Sequence, residues 1–145
     1  MENISLLLLL LSGMTVYIGD AARMSGLTID TIRYYESLGL ITDSTRDGVG
    51  RRVFTADDLL WLVFLRRMRE TNMPIVQLQE YLRCRGRGVD GIAGILRVLK
   101  DHHHAMGQQQ AALNECIALI EAKIAKYEGL AAAGLPPGTP EVDLE

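Results

Sequence analysis

Arginine outnumbers lysine twelve to three in this chain of 145 residues, and the arginines fall in a few short stretches. Arg33 lies in the run Thr28-Ile29-Asp30-Thr31-Ile32-Arg33-Tyr34-Tyr35, and Arg51-Arg52 follows the turn dipeptide Asp47-Gly48. A guanidinium is planar and permanently charged, and it donates parallel pairs of hydrogen bonds that suit phosphate oxygens and the edge of guanine. The hydroxyls of Thr28, Thr31, Tyr34 and Tyr35 add neutral donors and acceptors. Asp30 can touch a base or cap its own helix. This is the chemistry of recognition. The chain shows no paired nucleophile and base, no glycine-rich phosphate loop and no metal-ligand spacing. Neither an enzyme nor a bound cofactor is therefore expected. His102-His103-His104 does not change this, because consecutive helical residues point about 100° apart and cannot face one ion.

The net charge of −3 does not suggest a polyanionic partner by itself. Glu2 and the tail acids Glu141, Asp143 and Glu145 account for that sign and leave the remainder slightly basic. Binding must come from a local patch. Two cysteines, Cys84 and Cys116, are too few for a disulfide framework and fit a reducing cytoplasm. Cys84 stands between Arg83 and Arg85, with Arg87 close by. Neighbouring positive charge favours a thiolate, so Cys84 is a candidate redox or electrophile sensor, set against an inert cysteine at a helix end. Cys116 is a candidate sensor or metal ligand, set against a small buried apolar residue. The leucine run from Leu6 to Leu11 is far shorter than the ~20 residues a membrane span needs, and no membrane partner is expected.

These residues need elements to hold them. The spacing predicts a short helix over 18–24, stopped at Ser25-Gly26, then a second helix capped by Thr28 and closed at Leu38-Gly39. Two short helices about a glycine turn make a helix-turn-helix. Residues 42–53 predict a two-stranded wing around Asp47-Gly48. Thr55-Ala56-Asp57-Asp58 is a capping box opening a helix to about Thr71, and Pro74 is expected at the first position of the next. Ile92, Leu99, Met106, Leu113, Ile120 and Tyr127 recur every seven residues, interleaved with Leu96, His103, Gln110, Ile117 and Ile124. That is a coiled-coil seam. A stripe so long needs a second copy to cover it, and polar His103 and Gln110 fit a role in register. The fold class is mostly α: a winged helix-turn-helix domain followed by a long dimerising coiled-coil helix. The expected organisation is an extension over 1–13 with Met14 as the natural start, and a DNA-binding domain over 14–83. A hinge over 84–90, the dimerisation helix over 91–130 and a disordered tail over 131–145 complete it.

The combination of Tyr17-Ile18-Gly19-Asp20-Ala21-Ala22, Thr31-Ile32-Arg33-Tyr34-Tyr35-Glu36, Leu38-Gly39-Leu40-Ile41, Gly50-Arg51-Arg52-Val53-Phe54 and Asp57-Asp58-Leu59 resembles the MerR family of bacterial transcription regulators. The resemblance implies a homodimer joined by an antiparallel coiled coil and bound to a pseudo-palindromic operator in promoter DNA. It implies activation by DNA distortion, with RNA polymerase engaged through the promoter, in response to a small-molecule or stress signal. It places Thr28, Asp30, Thr31 and Arg33 on the reading helix. Tyr34 and Tyr35 divide phosphate contact and core packing between them. Arg51 and Arg52 are assigned to backbone contacts from the wing, Phe54 packs beneath, and Tyr17 is structural. Metal-sensing members carry cysteines near the end of the coil, and this chain has none after Leu130. An aldehyde-sensing subgroup carries a cysteine in the helix after the wing, where this chain has Arg66-Arg67. The alternative is an architectural or recombination accessory protein with the same winged fold and no inducer. The long coil argues against it.

Overall fold

The computed structural model describes residues 12–41 and 45–140. Most of the extension expected over 1–13, and residues 141–145 of the tail, lie outside the described residues. Helix α1 (Ile18–Ser25) ends at Gly26, whose φ of 78° lets its N–H reach the Ala22 carbonyl. A side chain at Gly26 would also meet the Arg66 guanidinium at 3.0 Å. Helix α2 (Ile29–Ser37) begins where the Thr28 hydroxyl accepts from the Thr31 N–H at 3.1 Å. That bond satisfies one of the N–H groups a helix start leaves open. Ala21, Ala22, Ile32 and Tyr35 are the buried faces of these two helices. The helix-turn-helix is as expected.

Strands β1 (Thr45–Arg46) and β2 (Arg52–Val53) pair antiparallel, Arg46 opposite Arg52. The wing differs in detail from the expected Asp-Gly turn. Gly50, not Gly48, takes the positive φ, at 84°. The Gly50 N–H meets the Asp47 carbonyl at 3.0 Å and the Asp47 N–H meets the Arg51 carbonyl at 2.9 Å. This is a three-residue loop closed by a left-handed glycine. Phe54 then pairs with Val16 through two backbone bonds of 2.7 and 3.0 Å, tying the wing to the segment before α1.

Helix α3 (Ala56–Glu70) opens with the expected capping box. Thr55 Oγ1 accepts from the Asp58 N–H, and the Asp58 carboxylate accepts from the Thr55 N–H. Helix α4 (Ile75–Arg85) follows Pro74, which is the capping residue rather than the first helical one. Phe54, Ile32, Leu40, Leu62, Leu65, Met73 and Leu78 are fully buried in one core. Burial of each such side chain contributes about 1.5–3 kcal/mol. Trp61 packs partly buried beside them, stacked with Phe64 and Tyr81, and its indole N–H donates to the Leu40 carbonyl at 2.7 Å.

In the segment expected as a hinge, 84–90, Cys84 is buried and residues 85–90 are exposed. After α4 a 3-10 turn (Gly88–Gly91) leads into α5 (Ile92–Ala133). A Cβ placed on Gly91 would lie 1.7 Å from the Cys84 carbonyl oxygen, and one on Gly94 would lie 2.3 Å from Cys84 Sγ. These glycines serve close approach rather than freedom. The chain divides into two compact units, residues 1–100 and 101–145. The first reaches beyond the boundary expected at 83, because Val98 of α5 belongs to its core. Helix α5 also runs past Leu130 to Ala133. Gly134 follows at φ 67°, and Thr139 bonds back to the Pro136 carbonyl.

Candidate nucleic-acid interface

Helix α2 has two faces. Ile32 (0 % exposed) and Tyr35 (6 %) point into the core, and Tyr34 (56 %) points out. Successive helical side chains diverge by about 100°, so adjacent tyrosines cannot share one environment. Tyr35, expected as a possible DNA contact, therefore serves the core, and Tyr34 is the exposed one. Thr28, Asp30 and Arg33 are exposed and Thr31 is half-buried. The Thr28 and Thr31 hydroxyls lie 2.8 Å apart in a mutual hydrogen bond. Arg33 has no hydrogen-bond or ion-pair partner among the described residues. Its guanidinium faces solvent with its donors unspent.

The two wing arginines differ. Arg51 is exposed and lies 4.5 Å over the Tyr17 ring. It donates to Asp47 Oδ2 at 3.0 Å and to the Tyr17 hydroxyl at 2.8 Å. Arg52, expected as a second backbone contact, is turned inward, with its side chain only 14 % exposed. It lies 4.9 Å over the Phe54 ring and 4.0 Å from Glu36 Oε1. Its Nε and Nη2 are buried without a hydrogen-bond partner among the described residues. Arg51 belongs to the loop before β2, whereas Arg52 lies in β2 and turns towards Phe54 and Glu36. Arg46, not singled out from sequence, stands exposed on β1 and donates to the Gly50 carbonyl at 2.9 Å. Its position in the wing was legible, but not its exposure. On α3, Arg66 and Arg67 pair with Glu70, and Arg69 donates to the Met73 carbonyl.

Asp47 organises the wing. Its carboxylate accepts from the Tyr17 hydroxyl at 2.6 Å, and from the Val49 and Arg51 N–H groups at 3.0 and 2.9 Å. The tyrosine bond is the largest cause holding its pKa down at about 2, with the Arg51 N–H next. The same bond raises the Tyr17 hydroxyl above its usual value. Because the folded pKa lies below the ordinary 3.8, this contribution is fully present above that value and is lost as pH falls towards 2. The wing amides should therefore lose order between about pH 4 and 2, followed by NMR. In Asp47→Asn that transition should be absent and the wing looser at neutral pH. A transition unchanged in the variant would exclude the Asp47 carboxylate as its source.

The candidate sensor cysteines also separate. Cys84 is buried, and Sγ donates to Glu80 Oε1 at 3.3 Å. Burial first, then the Glu80 bond and charge, push the thiol pKa up; Arg87 and Arg83 oppose this and are outweighed. The thiolate expected from neighbouring arginines is thus disfavoured, because the guanidinium groups are exposed while the sulfur is not. Cys116 is exposed on α5. A maleimide should label Cys116 within minutes in the native protein, and Cys84 at a comparable rate only in denaturant. Equal native rates would contradict the burial of Cys84. Among the described residues no group of three potential metal ligands converges, and no helix is long and apolar enough to cross a membrane.

A helix-turn-helix with an exposed arginine on its second helix and a basic wing beside it defines a DNA-binding regulator. The family model described as MerR HTH family regulatory protein matches residues 16–84. An uncharacterised HTH-type transcriptional regulator of Haemophilus influenzae is 31% identical over 121 residues, covering 83% of this chain and 90% of that protein. The crystal structure of HiNmlR, a MerR family regulator lacking the sensor domain and bound to promoter DNA, superposes with a TM-score of 0.77 at 31% identity. It covers 84% of this chain and 92% of that one. A MerR-family regulator from Bacillus thuringiensis matches with a TM-score of 0.70 at 31% identity, over 79% of this chain and 100% of that one. The chain belongs to the MerR family of DNA-binding transcriptional regulators.

Proposed function

We propose that this chain binds a pseudo-palindromic operator in promoter DNA as a homodimer joined by antiparallel α5 helices. It controls promoter use by distorting the DNA, so that RNA polymerase engages a remodelled spacer. Thr28, Asp30, Thr31, Arg33 and Tyr34 approach the major groove. Arg51 approaches the flanking phosphates, and Arg52 braces the wing from within. The observation that carries this reading is the division of α2 into a buried Ile32–Tyr35 face and an exposed face on which Arg33 is unpaired. Phosphate contacts then set position and salt dependence, and base-edge contacts set sequence preference. Support for a promoter as target comes from HiNmlR, which resembles this chain across most of its length and is bound to promoter DNA. Support for the dimer comes from the seam on α5. Leu96, Leu113, Ile117, Ile120, Ile124 and Tyr127 are between 43 and 61 % exposed in the single chain. Ile92 and Met106 are likewise exposed, with Leu99 half-buried. A signal, if it is a small molecule, has a groove of about 600 Å³ in the first unit, lined by Thr45, Trp61, Leu82 and Arg85 among others.

Footprinting on the chain's own promoter tests the whole. One protected, two-fold symmetric site within the promoter spacer, with enhanced cleavage at its centre from distortion, is the expected result. Scattered protection without symmetry would favour an architectural protein and overturn the proposal.

A further inference from the structure

The seam on α5 carries more than a preference for a second copy. Positions on an antiparallel seam meet in layers, and the layers fit only at registers one heptad apart. Two registers pair every seam position but one. The first leaves Tyr127 over, and the second leaves Ile92 over. Other registers forfeit a further turn or more at each end. The flanking charges distinguish the two. Lys100 and Glu121 are exposed beside the seam, and neither forms an ion pair within its own chain among the described residues. In the first register Lys100 falls beside the partner's Asn114 and Glu121 beside the partner's Ala93. In the second, Lys100 falls beside the partner's Glu121, and two-fold symmetry makes that pair twice. Flanking pairs of this kind set partner choice and orientation in coiled coils.

We propose that α5 pairs in this second register, with Gln110 opposite the partner's Leu113 and Met106 opposite the partner's Ile117, and that the Lys100–Glu121 pairs select it. The inference rests on the homodimer proposed above. In this arrangement polar Gln110 lies in the two central layers, where a slip of one heptad would move it against Met106. Ile92, left out of the layers, meets the partner's Ala131 on the helical turn past Leu130.

Cysteine cross-linking in full-length chains tests the register. With Cys116→Ser as background, differently tagged chains carry either Met106→Cys or Ile117→Cys and are mixed under mild oxidation. A disulfide needs Cα atoms within about 7 Å. In the proposed register each variant alone holds its two cysteines roughly 16 Å apart along the helix and stays uncoupled. The mixture should give a covalent heterodimer. Cross-linking by Met106→Cys alone would mean a parallel coil. Coupling of Met106→Cys to Gln110→Cys instead would mean the other register. Either result overturns the proposal, as does a dimer that cross-links in no combination. A monomer in sedimentation would remove the dimer itself, a failure distinct from a wrong register. As a second readout, Lys100→Glu should weaken the dimer several-fold, and adding Glu121→Lys should restore it. Absence of that rescue would exclude the pair.

Discussion

Ile117→Asp in the full-length chain should convert the dimer to a monomer and lower operator affinity by roughly a hundredfold or more. The estimate follows from linkage. Two half-site readers joined by one rigid element gain about 10²–10⁴ in avidity over a single one. Ile117 is 43 % exposed in the single chain. It lies in the second unit, residues 101–145, outside the core that holds the reading helix. A carboxylate there can be solvated in a monomer, but in a paired seam it would be buried against an apolar layer at high cost. The reading domain should stay folded, with an unchanged thermal transition in the first unit. Sedimentation and a gel-shift titration read the two effects separately. A variant that stays dimeric would remove the seam from the interface. Substitution is a cleaner test than removing residues from Gly91 onward, because that deletion would strip Val98 from the core of the first unit.

Arg33→Ala should weaken operator binding by about 1–3 kcal/mol, roughly 5- to 150-fold, and leave dimerisation intact. The exposed side chain makes no hydrogen bond or ion pair among the described residues, so its removal should cost little stability. The loss should therefore appear only in binding. Salt dependence then separates two roles. If Arg33 meets a phosphate, affinity falls evenly across sequences and the slope of log affinity against log salt drops by about one unit. If it meets a guanine edge, discrimination at one base pair collapses while the slope hardly moves. Unchanged affinity would take Arg33 out of the interface.

Local features of the fold were legible because their signals are local. The Thr28 cap, the Thr55–Asp58 capping box and the Gly26 helix stop each depend on a few neighbouring residues, and each is present. The seven-residue recurrence on α5 was equally legible, since it needs only the helical period. Two readings failed for one shared reason. The arginines around Cys84 looked like thiol activators, yet burial and Glu80 outweigh them. Arg52 looked equivalent to Arg51, yet it turns under the wing towards Phe54 and Glu36. Each depends on what lies across space, which no window of sequence contains.

The reading helix shows the same division. By itself the sequence determined that Thr28 to Tyr35 would form a capped helix carrying arginine, threonine and tyrosine, beside a basic wing and ahead of a long apolar seam. Composition, capping and period suffice for that. Only the tertiary structure decided which side chains remain free to bind. Tyr35 is spent on the core and Arg52 on the wing's underside, whereas Arg51 is oriented by Asp47 and Tyr17 and stays exposed. Arg33 and Tyr34 are left facing solvent. The physical reason is that exposure is a property of the packed surface: a residue's type says what it could bond, and its neighbours in space decide whether that bond is already made.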